Sequence, residues 1–198
     1  MIEPEFGRFL RSIVETLEQL GLTYGIGGSV ASSLYGEARS TLDVDISVVL
    51  PLDRVLLFTQ AFQALGYYAF LDAVFDAIIA RQPFNIIDPQ SGYKADIFPI
   101  DSETPTQQEQ EILRRLQRHV YDESDGAAAV LYSPEDVVVY KLKDYVLGRT
   151  PKHLRDIGAI LAATGQALDR DYITRWADRL GAGDVWAELT AVYDSAER

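Results

Sequence analysis

The stretch DVDISVVL, residues 43–50, constrains the fold more than any other part of the chain, because it combines two acids with an apolar run. In a β-strand, side chains two positions apart point to the same face, so Asp43 and Asp45 lie together while Val44 and Ile46 face the other side. Two carboxylates about 4 Å apart repel each other by roughly 4 kcal/mol at an effective dielectric constant of about 20. A strand here therefore requires that one carboxyl stays protonated or that a hard cation binds the pair.

A third acid favours the cation. Asp96 lies in YKADIFPI, residues 93–100, between two apolar residues of another predicted strand. If the two strands are neighbours, three carboxylates meet at one edge of the sheet, which is an arrangement that holds one or two metal ions across a transferring phosphoryl group. Mg²⁺ prefers such oxygen ligands, and Mn²⁺ accepts them too. In the simpler alternative, Asp43 lies at a strand entrance while Asp45 and Asp96 face solvent.

A glycine pair precedes the acids. Gly27 and Gly28 end a short apolar strand, and Ser29 is predicted to cap a helix that runs to about Tyr35 and ends at Gly36. The amide groups at the start of such a helix form an anion site, where the phosphates of a nucleotide could lie. A tight turn between strand and helix explains a glycine pair by itself equally well.

Composition narrows the classes of protein. The chain has 198 residues, 47% of them hydrophobic, which supports one or two compact domains. It has no cysteine, which excludes disulfides, thiolate metal sites and cysteine nucleophiles. The net charge of −12 argues against a broad nucleic-acid-coating surface, which needs clustered Lys and Arg. The sequence lacks a long apolar run and its N-terminal stretch is too acidic for a secretory signal, so we expect a cytoplasmic protein with no membrane partner.

The pattern of apolar residues predicts an α+β protein, with a small mixed β-sheet flanked by helices and a C-terminal helical segment. We assign residues 1–130 to the α/β core and residues 131–198 to the helical segment, which together could share one core. Predicted helices cover about 6–20, 29–35, 51–66, 104–119, 133–147, 151–164, 170–180 and 184–196, and predicted strands cover 22–26, 43–50, 83–88, 93–100 and 127–132.

The combination of GGS at 27–29 with DVDI at 43–46 resembles the signature of the nucleotidyltransferase superfamily, which is also called DNA polymerase beta-like. The stretch YGEARSTLDVDI further resembles small prokaryotic nucleotidyltransferases of the AbiEii toxin type, and Asp96 in KADIF matches their third acid. SPEDVVVYKL and HLRDIGAIL resemble their C-terminal helices, in which a lysine and an acid recur. The resemblance covers roughly residues 20 to 165.

This resemblance implies a nucleotidyltransferase fold and Mg²⁺-dependent transfer of a nucleoside monophosphate from an NTP to a hydroxyl acceptor, with release of pyrophosphate. Asp43 and Asp45 would hold the metal against the triphosphate, while Asp96 would bind the catalytic metal and position or serve as the base. Gly28 and Ser29 would contact the phosphates. The implied acceptor is tRNA or a protein side chain, and a cognate antitoxin is an implied partner. Independently of the resemblance, the acidic charge of the chain gives a slight preference against large RNA.

Two basic residues are further candidates for the nucleotide site. Arg39 lies four residues before Asp43, where it could pair with the acids or touch phosphate, or could be a loop arginine in water. Lys141 lies among apolar residues of the helix that begins after Ser133, and we predict that it points inward and binds phosphate. The alternative is a lysine whose stem packs on the core while its amine reaches solvent.

Two other functions fit the same residues. A non-catalytic nucleotide-binding or partner-binding module would keep the fold and bind an NTP without transferring it to any acceptor. A phosphohydrolase would release inorganic phosphate rather than pyrophosphate. The intact set of Asp43, Asp45 and Asp96 favours the enzyme over the module.

Overall fold

The computed structural model describes residues 3–37, 41–122, 124 and 126–196. The chain divides into two compact units, one of residues 1–30 and 40–131 and the other of residues 31–39 and 132–198. The helices are α1 (Pro4–Gln19), α2 (Gly28–Tyr35), α3 (Val55–Ala64), α4 (Leu71–Ala80), α5 (Gln107–Arg115), α6 (Pro134–Gly148), α7 (Pro151–Thr164), α8 (Arg170–Arg179) and α9 (Gly183–Ala196). The strands are β1 (Tyr24–Ile26), β2 (Asp43–Val49), β3 (Phe84–Ile87), β4 (Lys94–Ile100), β5 (Gln117–Asp122) and β6 (Ala127–Leu131).

The strands described in the first unit form one mixed sheet in the order β3-β4-β2-β1-β6-β5. β2 pairs in parallel with β4 and antiparallel with β1, and β3 pairs antiparallel with β4 as the predicted hairpin requires. The predicted α+β fold with a small mixed sheet is confirmed. Because β2 and β4 are interior neighbours, the two acid-bearing segments of the sequence lie side by side.

The buried face of this sheet explains which way the acids point. Along β2, buried residues alternate with half-buried ones, and Val44, Ile46 and Val48 are fully buried. Ala95 and Ile97 of β4 are buried in the same way. Burial of such side chains stabilises the fold by about 1.5–3 kcal/mol for each valine or isoleucine. The opposite face of β2, which carries the acids, remains half-buried.

Aromatic side chains join α1 and α3 to the rest of the first unit. Phe9 of α1 packs against Tyr67 and Tyr93, with ring centroids 5.7 and 5.8 Å apart. Phe58 of α3 packs edge-on against Phe84 of β3 at 5.9 Å. Tyr67 is therefore held by packing against α1.

The second unit is helical, and its longest described helix begins as the sequence predicts. Ser133 lies immediately before α6, where its hydroxyl accepts a hydrogen bond from the Asp136 amide at 3.2 Å and donates one to the Asp136 carboxylate at 2.6 Å. The Tyr172 hydroxyl also donates to that carboxylate, at 2.5 Å. Pro134 occupies the first helical position, where its missing N–H costs nothing.

Among the described residues, every helix is too short or too polar to span a bilayer.

Two local predictions are wrong, and one helix was not predicted. Helix α2 begins at Gly28, so Ser29 lies in its first turn and is not its cap; Gly27 takes that place, which glycine tolerates. Helix α4 was not predicted, because it has no side-chain cap and buries only Val74 among its apolar residues. The helix predicted over 104–119 ends at Arg115, and β5 follows it. The sequence of β5 does not alternate apolar and polar residues, so it lacks the pattern that indicates a strand.

Candidate active site

The pairing of β2 with β4 brings the three predicted acids onto one face of the sheet. Asp45 lies directly opposite Asp96, and Asp43 lies directly opposite Lys94. Residues directly opposite each other on neighbouring strands share a face, and so do residues two positions apart on one strand. Three carboxylates and one ammonium group therefore occupy adjacent positions; we call these four residues the acid cluster.

Lys94 provides the positive charge that the neighbouring acids require. Its Nζ donates hydrogen bonds to both carboxylate oxygens of Asp96, at 2.9 and 2.7 Å, and lies 3.9 Å from Oδ2 of Asp43. These contacts with Asp96 raise the pKa of Lys94 above its ordinary value, although partial desolvation opposes the rise. The negative charges of Asp96, Asp43 and Asp45 raise it further.

The acids of the cluster lie around the Lys94 ammonium group. Among the described residues, no three carboxylate or imidazole side chains are close enough together to enclose a metal ion. Both oxygens of Asp96 accept hydrogen bonds from Lys94. The donor set itself fits Mg²⁺, since three carboxylates on one face of two adjacent strands supply the oxygen ligands that this ion prefers. Lys94 would compete with such an ion for the oxygens of Asp96.

The glycine pair lies directly against Asp45. Gly28 has a φ of +56°, in the left-handed region that glycine adopts without a steric penalty, and a Cβ atom there would overlap the Asp45 carboxylate. The Gly27 amide donates a hydrogen bond to the Asp45 carbonyl oxygen at 2.9 Å. The glycines therefore form the turn into α2 and also let the backbone approach the acid cluster closely.

No protein-family model matches the chain, and no curated protein matches it. Solved structures do match. The antibiotic-resistance factor ANT(2'')-Ia, in complex with adenylyl-2''-tobramycin, gives a TM-score of 0.56 at 14% identity over 94% of this chain and 97% of that chain. An antigenic nucleotidyltransferase-like protein from Paracoccidioides brasiliensis gives 0.55 at 16% identity, covering 93% and 91%. The chain has a nucleotidyltransferase fold.

A third match covers less of the chain. The lincosamide antibiotic adenylyltransferase LnuA, with lincomycin bound, gives a TM-score of 0.52 at 17% identity, over 76% of this chain and 93% of that chain. At such low identity these matches establish the nucleotidyltransferase fold alone. What this chain does with the fold depends on its own residues.

Within the nucleotidyltransferase fold, Thr41 orients one of the acids. Its hydroxyl donates to Asp43 Oδ1 at 2.8 Å and to the Asp43 carbonyl oxygen at 3.0 Å. Neither Thr41 nor Lys94 was predicted from the sequence. Lys94 was detectable, since it lies two positions before Asp96 and a strand therefore places both on one face.

A polar residue and an aromatic residue extend the acid-cluster face. Asn85 of β3 lies directly opposite Asp96 and is exposed. Phe98 lies two positions after Asp96 on β4 and is 41% exposed, which is unusual for so large an apolar side chain in a strand. Neither residue was predicted from the sequence. Alternation along β4 alone places Phe98 on the face of Asp96, whereas Asn85 lies beside the acid only because of the register of β3 with β4.

The two basic residues predicted for the nucleotide site have different outcomes. Arg39 lies outside the described residues. Lys141 is buried on α6, in the second unit, and its Nζ donates to Oδ2 of Asp156 on α7 at 2.7 Å. The two side chains are only 5% and 10% exposed, so they form a buried ion pair.

Proposed function

We propose that this protein transfers a nucleoside monophosphate from an NTP to a hydroxyl group and releases pyrophosphate. The observation that supports this most strongly is the acid cluster, in which Asp43, Asp45 and Asp96 share one face of two adjacent strands. The fold is consistent with that activity, but many functions occur on one fold and the acids are the specific support. The approach of Gly28 to Asp45 adds to it, because it brings the start of a helix next to the acids.

In the proposed mechanism each group has a distinct role. Asp43, Asp45 and Asp96 would hold Mg²⁺ or Mn²⁺, which when bound supplies neutralising charge for the triphosphate and for the departing pyrophosphate. The amides of Gly28 and Ser29, at the positive end of α2, would bind phosphate oxygens. Gly27 contributes by holding the turn, since its own amide is bonded to Asp45.

The bond changes balance around the α-phosphorus. The acceptor oxygen forms a bond to this phosphorus while the bond to the bridging oxygen of the β-phosphate breaks, and pyrophosphate carries that electron pair away. The acceptor's proton goes to Asp96. Asp96 suits this role because it lies beside the exposed Asn85, on the side of the acid cluster toward the edge strand β3.

For the acceptor, we propose a small hydroxylated molecule that carries positive charge. ANT(2'')-Ia with adenylyl-2''-tobramycin and LnuA with lincomycin are structural neighbours that act on compounds of this size. The net charge of −12 would attract a cationic acceptor and repel RNA. A tRNA or protein hydroxyl, with a cognate antitoxin as partner, is the second candidate, and the resemblance of YGEARSTLDVDI to toxin-type proteins supports it.

The test is transfer of label from each α-³²P NTP, with Mg²⁺, to an aminoglycoside, a lincosamide, total tRNA or total cell protein. We expect labelled acceptor and stoichiometric pyrophosphate, and no transfer by the Asp45→Asn variant. Asp53→Asn is the matched control, because Asp53 is an exposed acid in the turn before α3. NTP binding without transfer to any of the four acceptors would favour the non-catalytic module, and release of inorganic phosphate would favour hydrolysis; either contradicts the proposal.

A further inference from the structure

The acid cluster contains its own cation. Lys94 Nζ binds both oxygens of Asp96 and lies 3.9 Å from Asp43, on the face where the proposed metal site requires all three carboxylates. An Asp96 whose two oxygens both accept hydrogen bonds from an ammonium group has fewer lone pairs to offer a metal ion, and its charge is already partly neutralised. Two cations so close together would repel each other strongly.

We infer that Lys94 is the internal counter-ion of the acid cluster, which competes with the divalent cation for Asp96 and releases Asp96 when that cation binds. The inference rests on the metal site of the proposed function and goes beyond it, because it assigns a role to a residue that is not a ligand. Lys94 is a positioning residue. It acts by holding Asp96 in the metal-free protein.

The charges explain what such a residue achieves. Three carboxylates carry a charge of −3 if all are ionised, and Lys94 lowers this to −2, so it stabilises the metal-free protein and weakens binding of the metal alone. An NTP that arrives with its metal offers new anionic partners to the released ammonium group. Lys94 therefore makes the site bind metal poorly without nucleotide and better with it.

The direct test measures Mn²⁺ affinity without nucleotide, by electron paramagnetic resonance of free Mn²⁺. We expect Lys94→Met to bind Mn²⁺ about tenfold more tightly than the unmodified protein, which corresponds to about 1.4 kcal/mol. Lys94→Arg keeps the positive charge and should stay near the original affinity. Lys143→Met is the matched control. It removes the same charge from a lysine that is not part of the acid cluster and whose Nζ lies 5.5 Å from the centroid of the Tyr140 ring. Equal or weaker binding by Lys94→Met overturns the inference.

Thermal unfolding distinguishes competition from a purely structural role. In EDTA, Lys94→Met should unfold at a lower temperature than the unmodified protein. Mn²⁺ should raise the unfolding temperature of the variant by more than it raises that of the unmodified protein. If Lys94 only braces the strands, the variant loses the same stability with and without Mn²⁺, and the inference is overturned.

A measurement on the unmodified protein covers the case in which Lys94→Met does not fold. An amine-directed reagent with mass-spectrometric mapping should modify Lys94 faster in saturating Mn²⁺ than in EDTA, with Lys143 unchanged. Unchanged labelling of Lys94 overturns the inference. If neither the unmodified protein nor its variants bind Mn²⁺ at all, with or without NTP, the metal site and hence the proposed function fail as well, whereas Mn²⁺ binding of equal strength contradicts only the role of Lys94.

Discussion

Replacing Gly28 by alanine tests the close approach between the glycine turn and the acid cluster. Gly28 combines a φ of +56° with a backbone position where an added Cβ would overlap the Asp45 carboxylate. The substitution therefore has two costs, namely a left-handed backbone for a residue with a side chain and displacement of Asp45. Gly21 separates them, because its φ is +63° and a Cβ there would meet no atom of the described residues within 4 Å apart from its chain neighbours.

The expected magnitudes follow from these two costs. A left-handed conformation costs an alanine about 1–2 kcal/mol. After the offset from the unfolded chain, Gly21→Ala should lower the free energy of unfolding by about 0–1.6 kcal/mol. Gly28→Ala carries the same cost and also forces Asp45 out of its rotamer, which adds about 0.5–1.5 kcal/mol or more. The lower entropy of the unfolded alanine chain offsets both variants equally, by about 0.4–1 kcal/mol. The difference between the variants thus isolates the contact with Asp45.

Urea unfolding measures both free energies, and Mn²⁺ titration measures whether Asp45 has moved. We expect Gly28→Ala to be the less stable variant and to bind Mn²⁺ more weakly, with Gly21→Ala binding it as the unmodified protein does. If Gly28→Ala is no less stable than Gly21→Ala and binds Mn²⁺ normally, the glycine turn does not constrain Asp45 and our explanation of the glycine pair is wrong.

Three further changes have expected outcomes. Asp156→Asn leaves the Lys141 ammonium group buried without its charge partner, so urea unfolding should show a loss of about 3–5 kcal/mol; a loss below about 1 kcal/mol would mean that the pair is not buried. Thr41→Val removes the hydrogen bond to Asp43 and should cost about 1 kcal/mol while weakening Mn²⁺ binding; unchanged Mn²⁺ affinity would contradict an orienting role. Burial lowers the pKa of His153 from 6.5, so the unfolded chain takes up a proton more readily. The contribution of His153 to the free energy of unfolding should therefore be fully present above pH 6.5 and decrease as the pH falls below it. His153→Gln should reduce this dependence of stability on pH, measured by urea unfolding at a series of pH values.

The arrangement of the acids could be predicted from the sequence because it depends on a local rule. Alternation along a strand places Asp43 and Asp45 on one face whatever the rest of the fold does. The position of Asp96 needed one further assumption, that its strand neighbours β2, and the pairing of β2 with β4 meets it.

The partners of the acids depend on strand register, which the sequence does not encode locally. Lys94 lies opposite Asp43 and Asn85 lies opposite Asp96 because of how β3, β4 and β2 align. A shift by one residue would move either side chain to the other face. The same-strand relation of Lys94 to Asp96 was nevertheless available from alternation alone.

Helix α4 was missed for a different reason. Its apolar residues lie around most of the helix surface, and Phe75 and Ile79 are 43% and 61% exposed. A helix without a single buried stripe and without a polar cap lacks both signals on which a prediction from sequence depends.

We propose that Asp43, Asp45 and Asp96 together bind a divalent cation that serves nucleotide transfer. Anomalous diffraction at the manganese absorption edge, from crystals grown with Mn²⁺ and a non-hydrolysable NTP analogue, tests it most directly. We expect a manganese peak within coordination distance of an oxygen of each of the three aspartates, with Lys94 Nζ no longer hydrogen-bonded to Asp96. A bound nucleotide with no manganese peak on these aspartates, and with Lys94 still holding Asp96, would contradict it.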